Sequence, residues 1–264
     1  MAEQLNDGWR PSTPAADTLA RAYTEQYADL IQKLGQAAGH RTVRTDDFVA
    51  SDAHQPFPFF NLAVLRRPLT SVDDPVLNAI DEFFTPNDGT PFLVWSATPT
   101  PSLAWRGWTL MGHPPLMFRP AGPAQVPEPA GVTLRKVSTP AELDTFAQTM
   151  VEAYPTPEMA GRPLYGPGII DAPGWHMWFA ELDGDSIGSA AAHVGPHVVD
   201  VEWISTHQRC RGRRIGEALT WAATLAEPSK PAMLFASDLG RPVYERMGYV
   251  ALSRLTLWIG QRAP

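Results

Sequence analysis

Apolar residues recur at helical spacing from Ala15 to Ala38, with Leu19, Tyr23, Tyr27, Leu30, Ile31 and Leu34 on one stripe, which predicts a first helix. Strand-like runs follow over Arg41–Ala50, Phe59–Leu65 and Pro91–Ala97. Between the last two, Val76, Leu77, Ile80 and Phe84 share a stripe and predict a short helix over Pro75–Phe84. An apolar run over Trp108–Phe118, broken by Pro114 and Pro115, closes this half. After residue 131 the order repeats. A strand is expected over Val132–Val137, then a helix over Ala141–Ala153 carrying Leu143, Phe146, Met150 and Val151. A Pro/Gly-rich loop spans Tyr154–Gly174. Trp175–Leu182, the Asp183-Gly184 turn and Ser186–Val194 read as a hairpin. Then come a strand over His197–Ser205, a helix over Ile215–Ala226, a strand over Ala232–Ala236, a short helix over Arg241–Met247 and a last strand over Tyr249–Ile259. Strands alternating with helices point to α/β sheets.

Between the halves lies RPAGPAQVPEPAG, whose prolines at 120, 123, 127 and 129 cannot donate ladder hydrogen bonds and favour an extended spacer. The expected division is residues 1–120, a proline-rich linker over 121–130, and residues 131–264. With 264 residues, 44% hydrophobic and 19% charged, the chain is long enough for two cored units and is not of the disordered class. No apolar run reaches the roughly 20 residues of a membrane helix. The N-terminus lacks the basic and apolar regions of a secretory leader, and one cysteine, Cys210, excludes an internal disulfide framework. A cytoplasmic protein is therefore expected. A net charge of −7 disfavours nucleic acid as a partner. A membrane partner is not expected either.

The chemistry concentrates in VDVEWISTHQRCRGRRIGEALTWAATLA. A strand enters a loop dense in Arg and Gly, which runs straight into a helix. Unspent backbone N–H groups at a helix start, with the macrodipole behind them, make an anion site. Arg211, Arg213 and Arg214 add positive charge, and Gly212 and Gly216 allow close backbone approach. A pyrophosphate suits such a place. No Gly-Lys-Ser/Thr is present and the spacing is not a dinucleotide fingerprint. The plain alternative is a solvated basic turn.

Arg211-Gly212-Arg213-Arg214-Ile215-Gly216 resembles the Arg/Gln-x-x-Gly-x-Gly/Ala signature of the GCN5-related N-acetyltransferases (GNAT), with Arg214 where the middle glycine usually stands. SDLGRPVYERMGY (237–249) is similar to that family's second signature, with Ser237 where Asn is frequent. The two lie in the family's order and spacing, and the resemblance covers nearly all of residues 131–264. The resemblance implies an α/β (α+β) fold of two GNAT-like domains, each a mixed, mostly antiparallel sheet flanked by helices. It also implies an acyltransferase using acetyl-CoA as co-substrate and no metal. A pantetheine arm would pair with the strand at Ile204, Ser205 and Thr206, with backbone contacts from Ile204 and Thr206. The pyrophosphate would rest on Gly212, Arg213, Arg214, Ile215, Gly216 and Glu217, beside Arg211, and Ser237 would also contact the cofactor.

On the strand before the loop, Val199, Val201 and Trp203 should face one way, with Asp200 and Glu202 roughly 7 Å apart on the other. Glu202, nearer the expected thioester, is the candidate general base, and a solvated strand face is the alternative. Tyr244 is the candidate acid, or else a packed core tyrosine beside Val243 and Met247. Gly184-Asp185-Ser186-Ile187-Gly188 matches a hydrolase nucleophile elbow, but it sits in a hairpin instead of a strand–turn–helix. Gly195-Pro196 breaks the helix that His193 and His197 would need to pair on a metal. Cys210 is read as a loop thiol. The aromatic residues of the Tyr154–Trp178 stretch form either an acceptor pocket or packing.

In the N-terminal half, LRRPLTSVDDPVLNAIDEFF has no Gly-rich loop and sets Asp73 and Asp74 where a phosphate would sit. That half is expected to be a degenerate copy without a cofactor site. The acceptor is expected to be a small-molecule or peptide amine, and the protein a monomer or homodimer. A non-catalytic acyl-CoA sensor or interaction module is the competing reading.

Overall fold

The computed structural model describes residues 18–85, 89–154 and 156–261. The helix start expected at Ala15 and the leader reading of the N-terminus lie outside them. In chain order the elements are helix α1 (Leu19–Ala37), strands β1 (Arg41–Arg44), β2 (Phe48–Asp52) and β3 (Asn61–Leu65), helix α2 (Pro75–Phe84), and strands β4 (Pro91–Ser96), β5 (Thr109–Gly112) and β6 (Pro115–Arg119). After the linker come β7 (Val132–Lys136), α3 (Pro140–Ala153), β8 (Trp175–Leu182), β9 (Asp185–Val194), β10 (Val199–Thr206), α4 (Ile215–Thr224), β11 (Ala232–Phe235), α5 (Arg241–Arg246), β12 (Val250–Arg254) and β13 (Thr256–Gln261). No helix among the described residues is long and apolar enough to cross a membrane.

The first sheet has the order β1-β2-β3-β4-β13-β5 and the second β12-β6-β11-β10-β9-β8-β7. Each is mostly antiparallel and contains a parallel pair, β3–β4 in the first and β10–β11 in the second. In each sheet a helix, α2 or α4, makes the crossover that a parallel pair requires. The cores follow the apolar stripes. Val76, Leu77, Ile80 and Phe84 of α2 pack with Phe48, Leu65, Phe92 and Trp108. Ile215, Leu219 and Trp221 of α4 pack with Ile187, Val199, Val201 and Leu234.

Four readings of element and unit boundaries are corrected. The run Arg41–Ala50 is two strands, because Thr45 Oγ1 accepts the amides of Asp47 and Phe48 and turns the chain. The run Trp108–Phe118 divides at Pro114 into β5 and β6, which belong to different sheets. The expected last strand likewise divides at Leu255. β12 lies at the edge of the second sheet, and β13 enters the first between β4 and β5. Consequently the compact units do not follow the boundaries 1–120 and 131–264. One comprises residues 1–36, 40–115 and 252–264, the other 37–39 and 116–251.

The hairpin reading holds. Asp183 (φ 53°) and Gly184 (φ 87°) supply the two left-handed positions of a tight turn between β8 and β9. Ser186 lies on β9 with its hydroxyl receiving that of Thr149 at 2.6 Å, so no nucleophile elbow exists there. Cys210 lies in the loop between β10 and α4, as expected, with its thiol buried in the second core.

Candidate active site

β10 is regular as far as Glu202, and up to that point the expected alternation is correct. Asp200 and Glu202 share one face, and both are buried, at 0% and 8% exposure. A solvated strand face is thereby excluded. A bulge then interrupts the pairing with β9 between Glu202 and Ser205, and Trp203 takes φ 54°. A left-handed tryptophan is strained. It persists because Ser189, itself buried, donates its hydroxyl to the Trp203 carbonyl (2.9 Å) and meets Ser205 Oγ at 2.7 Å. The expectation that Trp203 continues the Val199–Val201 face is therefore corrected.

Burial raises the Glu202 carboxyl well above the ordinary carboxylate range, and the neighbouring Asp200 raises it further by charge and by hydrogen bonding. Glu202 Oε1 has no hydrogen-bond partner among the described residues. A buried carboxylate oxygen left in this state costs stability, and it marks where a donor from a ligand would be accepted.

The sheet opens beside this residue. β11 pairs with β10 only at Val199↔Ala232 and Asp200↔Met233, whereas β10 continues to Thr206. The stretch from Glu202 to Thr206 therefore carries backbone that β11 does not use. Of the two residues expected to give backbone contacts, the Ile204 carbonyl accepts Tyr154 Oη (2.9 Å) and the Thr206 carbonyl accepts Arg211 Nε (3.3 Å). Both donors are side-chain ends, not strand backbone.

From Thr206 the chain passes through the Arg/Gly loop into α4. Gly212 (φ 78°) and Arg214 (φ 61°) are both left-handed, and no side chain caps α4. The structure thus explains why the middle position of the motif favours glycine. Arg214 occupies it with its guanidinium folded onto Glu217 at 2.7 and 2.9 Å, which leaves its backbone at the helix start. Ile215 is buried in the core and can offer only its amide to a ligand. A Cβ at Gly216 would lie 3.1 Å from Thr206 Oγ1, so this glycine lets the helix start approach the end of β10. Arg211 and Arg213 are exposed, Arg213 reaching the Ala130 carbonyl at 3.4 Å. Amides at a helix start, flanked by these guanidinium groups, suit a diphosphate.

Tyr244 stands on α5 with its ring against the second core and edge-on to Tyr249 at 6.0 Å. Its approach depends on Gly240, where a Cβ would lie 3.0 Å from the ring. The phenol is pushed up to about 12 by burial and then by Glu202, so the hydroxyl lies within electrostatic reach of that carboxylate while the ring packs. Ser237 is exposed. Its hydroxyl accepts the Gly240 amide at 3.1 Å and starts the turn into α5. Tyr154 and Tyr165 are also raised, first by burial and in part by Glu202. The aromatic stretch after α3 therefore divides. Trp175 and Trp178 pack into the sheet, whereas the two tyrosines lie within electrostatic reach of Glu202.

The parallel pair of the other unit differs. β3 and β4 stay paired at Leu62↔Leu93, Ala63↔Val94 and Val64↔Trp95, and β3 ends one residue later. At the start of α2 the Asp74 carboxylate accepts the amides of Thr70 and Val76 and two bonds from Arg67 (2.8 and 2.9 Å). A carboxylate of the chain itself thus caps the start of α2.

Residues 173–251 match the family model described as an acetyltransferase (GNAT) domain. The chain carries a GNAT acetyltransferase domain. A GCN5-related N-acetyltransferase from Kribbella flavida is similar over 93% of this chain and 95% of its own, at 23% identity and TM-score 0.64. A GCN5-related N-acetyltransferase from Sphaerobacter thermophilus covers 92% and 94% (14% identity, TM-score 0.52). A tandem GNAT protein from the clavulanic acid biosynthesis pathway covers 95% and 98% (13% identity, TM-score 0.51). No functionally curated protein sequence matches. These likenesses extend the GNAT fold over both units, and the arrangement is tandem. β10, the Arg/Gly loop and α4 all lie within the matched GNAT domain.

Proposed function

We propose that the GNAT domain transfers an acetyl group from acetyl-CoA to a primary amine. The observation that carries this reading is the open edge of β10, running past a buried carboxylate oxygen that lacks a donor into the uncapped start of α4. Ile204, Ser205 and Thr206 would line a pantetheine arm. Arg211, Gly212, Arg213, Arg214, Ile215, Gly216 and Glu217 would surround the diphosphate, with Ser237 at the rim. Acetyl-CoA supplies an acyl group activated as a thioester.

An alkylammonium, with a pKa near roughly 10.4, has to lose a proton before it attacks. Glu202 takes that proton, and its upward shift brings its basicity closer to the working pH than an ordinary carboxylate's. The nitrogen bonds to the acyl carbon, the carbon–sulfur bond breaks, and Tyr244 offers its proton to the departing sulfur. Because its phenol titrates only at about 12, Tyr244 holds that proton throughout the neutral range.

Initial-rate measurements of CoA release, with calorimetry for acetyl-CoA affinity, test the assignment. Glu202→Gln and Tyr244→Phe should each lower kcat about 10²-fold or more while changing the acetyl-CoA Kd less than about threefold. Gly216→Val should do the reverse and weaken binding about tenfold. Wild-type kcat in both site variants would remove those roles, and binding without turnover on any amine would favour a non-catalytic acyl-CoA module.

A further inference from the structure

Beyond the two catalytic candidates, the surroundings of Glu202 are aromatic. The Tyr154 ring stands perpendicular (89°) to that of Trp203 with centroids 6.1 Å apart, and its hydroxyl is fixed on the Ile204 carbonyl. Tyr165 lies 6.0 Å from Phe146, and its hydroxyl touches the Met150 sulfur at 3.8 Å. The bulge has a direct consequence here. The left-handed turn at Trp203 takes the indole out of the strand's alternation, so it meets Tyr154 instead of continuing the Val199–Val201 face.

Charge is scarce by comparison. Asp200 and Glu202 lie buried together on one face of β10, where like charge opposes ionising both, so the pair favours a single negative charge. Glu152 faces His207 at 3.6 Å, while Glu158 and Asp171 are exposed, where screened pairs contribute little. Such a site satisfies one ammonium. A second would meet half-buried and exposed aromatic rings with no further buried carboxylate beside them among the described residues, and ring faces attract a cation only weakly at such sites.

Resting on the acyltransferase reading, we propose that the acceptor is a monoamine with an apolar body, its ammonium on Glu202 Oε1 and its body among Tyr154, Tyr165 and Trp203, and not a polycation. The amine delivers N–H groups to a buried carboxylate oxygen that lacks a donor. The rings pack against the apolar body and add cation–π attraction to the ammonium.

The test is CoA release from the full chain with 2-phenylethylamine, ethylamine, spermidine and kanamycin, alongside acetyl-CoA calorimetry. The expected kcat/KM for 2-phenylethylamine exceeds that for spermidine and for kanamycin at least about tenfold. In Tyr165→Ala the ratio of 2-phenylethylamine to ethylamine should fall about five- to tenfold, a ratio that partial loss of folded enzyme does not change. Preference for either polycation, an unmoved ratio, or bound acetyl-CoA with no turnover of any of the four overturns the acceptor inference and leaves cofactor binding standing. No acetyl-CoA binding at all removes the transferase reading and this inference with it.

Discussion

At the scale of single residues, Glu202 combines a chemical use with a cost to folding. Its carboxyl is raised in the folded protein by burial and by Asp200. Between the ordinary carboxylate value and that raised value, the native state holds more protons than the unfolded chain. Stability from this group therefore falls as pH rises through the window. Glutamine at the same position has no charge to bury. Thermal unfolding of Glu202→Gln should match wild type near pH 4 and exceed it at pH 8 by a few degrees, since each tenfold change in proton affinity on folding is worth about 1.4 kcal/mol. An equal Tm difference at both pH values would show that Glu202 does not titrate as described. The residue was legible because strand alternation placed it with Asp200. Trp203 was not: tryptophan favours strands, and nothing local announces a left-handed bulge that is held by hydroxyls sixteen residues apart in the chain, at Ser189 and Ser205.

At the scale of elements, strand, loop and helix form one device, and its parts were unequally legible. The Arg/Gly density could be read because a helix start and its glycines have local causes. Of the two side chains that occupy the backbone of β10, Arg211 belongs to the motif itself, whereas Tyr154 arrives from the end of α3. If the pantetheine arm pairs with Ile204, the Tyr154 hydroxyl has to leave that carbonyl. Tyr154→Phe removes the competitor, so acetyl-CoA should bind about two- to fivefold more tightly by calorimetry, the scale of one modest hydrogen bond. Weaker binding would mean that Tyr154 supports the cofactor instead. The contrast between α4 and α2 sharpens the point. Asp74 was legible as an obstacle to phosphate, and its engagement by Arg67 and two amides was not. Arg67 holds Asp74 well below the ordinary carboxylate range, so it stays ionised there at neutral pH. Calorimetry should therefore give one acetyl-CoA per chain, and a stoichiometry of two would refute the reading of the first unit as a copy without a cofactor site.

At the scale of the whole molecule, sequence order and sheet order part company at two strands. The repeated pattern of strands and helices was legible, as was the break at Pro114-Pro115, because periodicity and proline act locally. Which sheet each strand joins was not, since β6 and β13 are both ordinary apolar runs and only tertiary pairing tells them apart. β6 sits between β12 and β11 in the second sheet. There Leu116 and Met117 are fully buried, and Arg119 holds the Met247 carbonyl (2.9 Å) while lying over the Trp221 ring at 4.6 Å. A fragment cut at the proline-rich linker, residues 121–264, lacks β6. It leaves β11 and β12 without their shared neighbour and exposes the apolar side chains of β13, which has no sheet to join. Residues 114–254 keep all seven strands of the second sheet and all the proposed cofactor and catalytic groups. The longer-tailed fragment should be insoluble or unfold without a cooperative transition, whereas 114–254 should unfold cooperatively and bind acetyl-CoA. Urea titration followed by tryptophan fluorescence, with calorimetry on whichever fragment is soluble, decides between them. Cooperative unfolding of 121–264 would mean that the linker, and not strand membership, bounds the active unit.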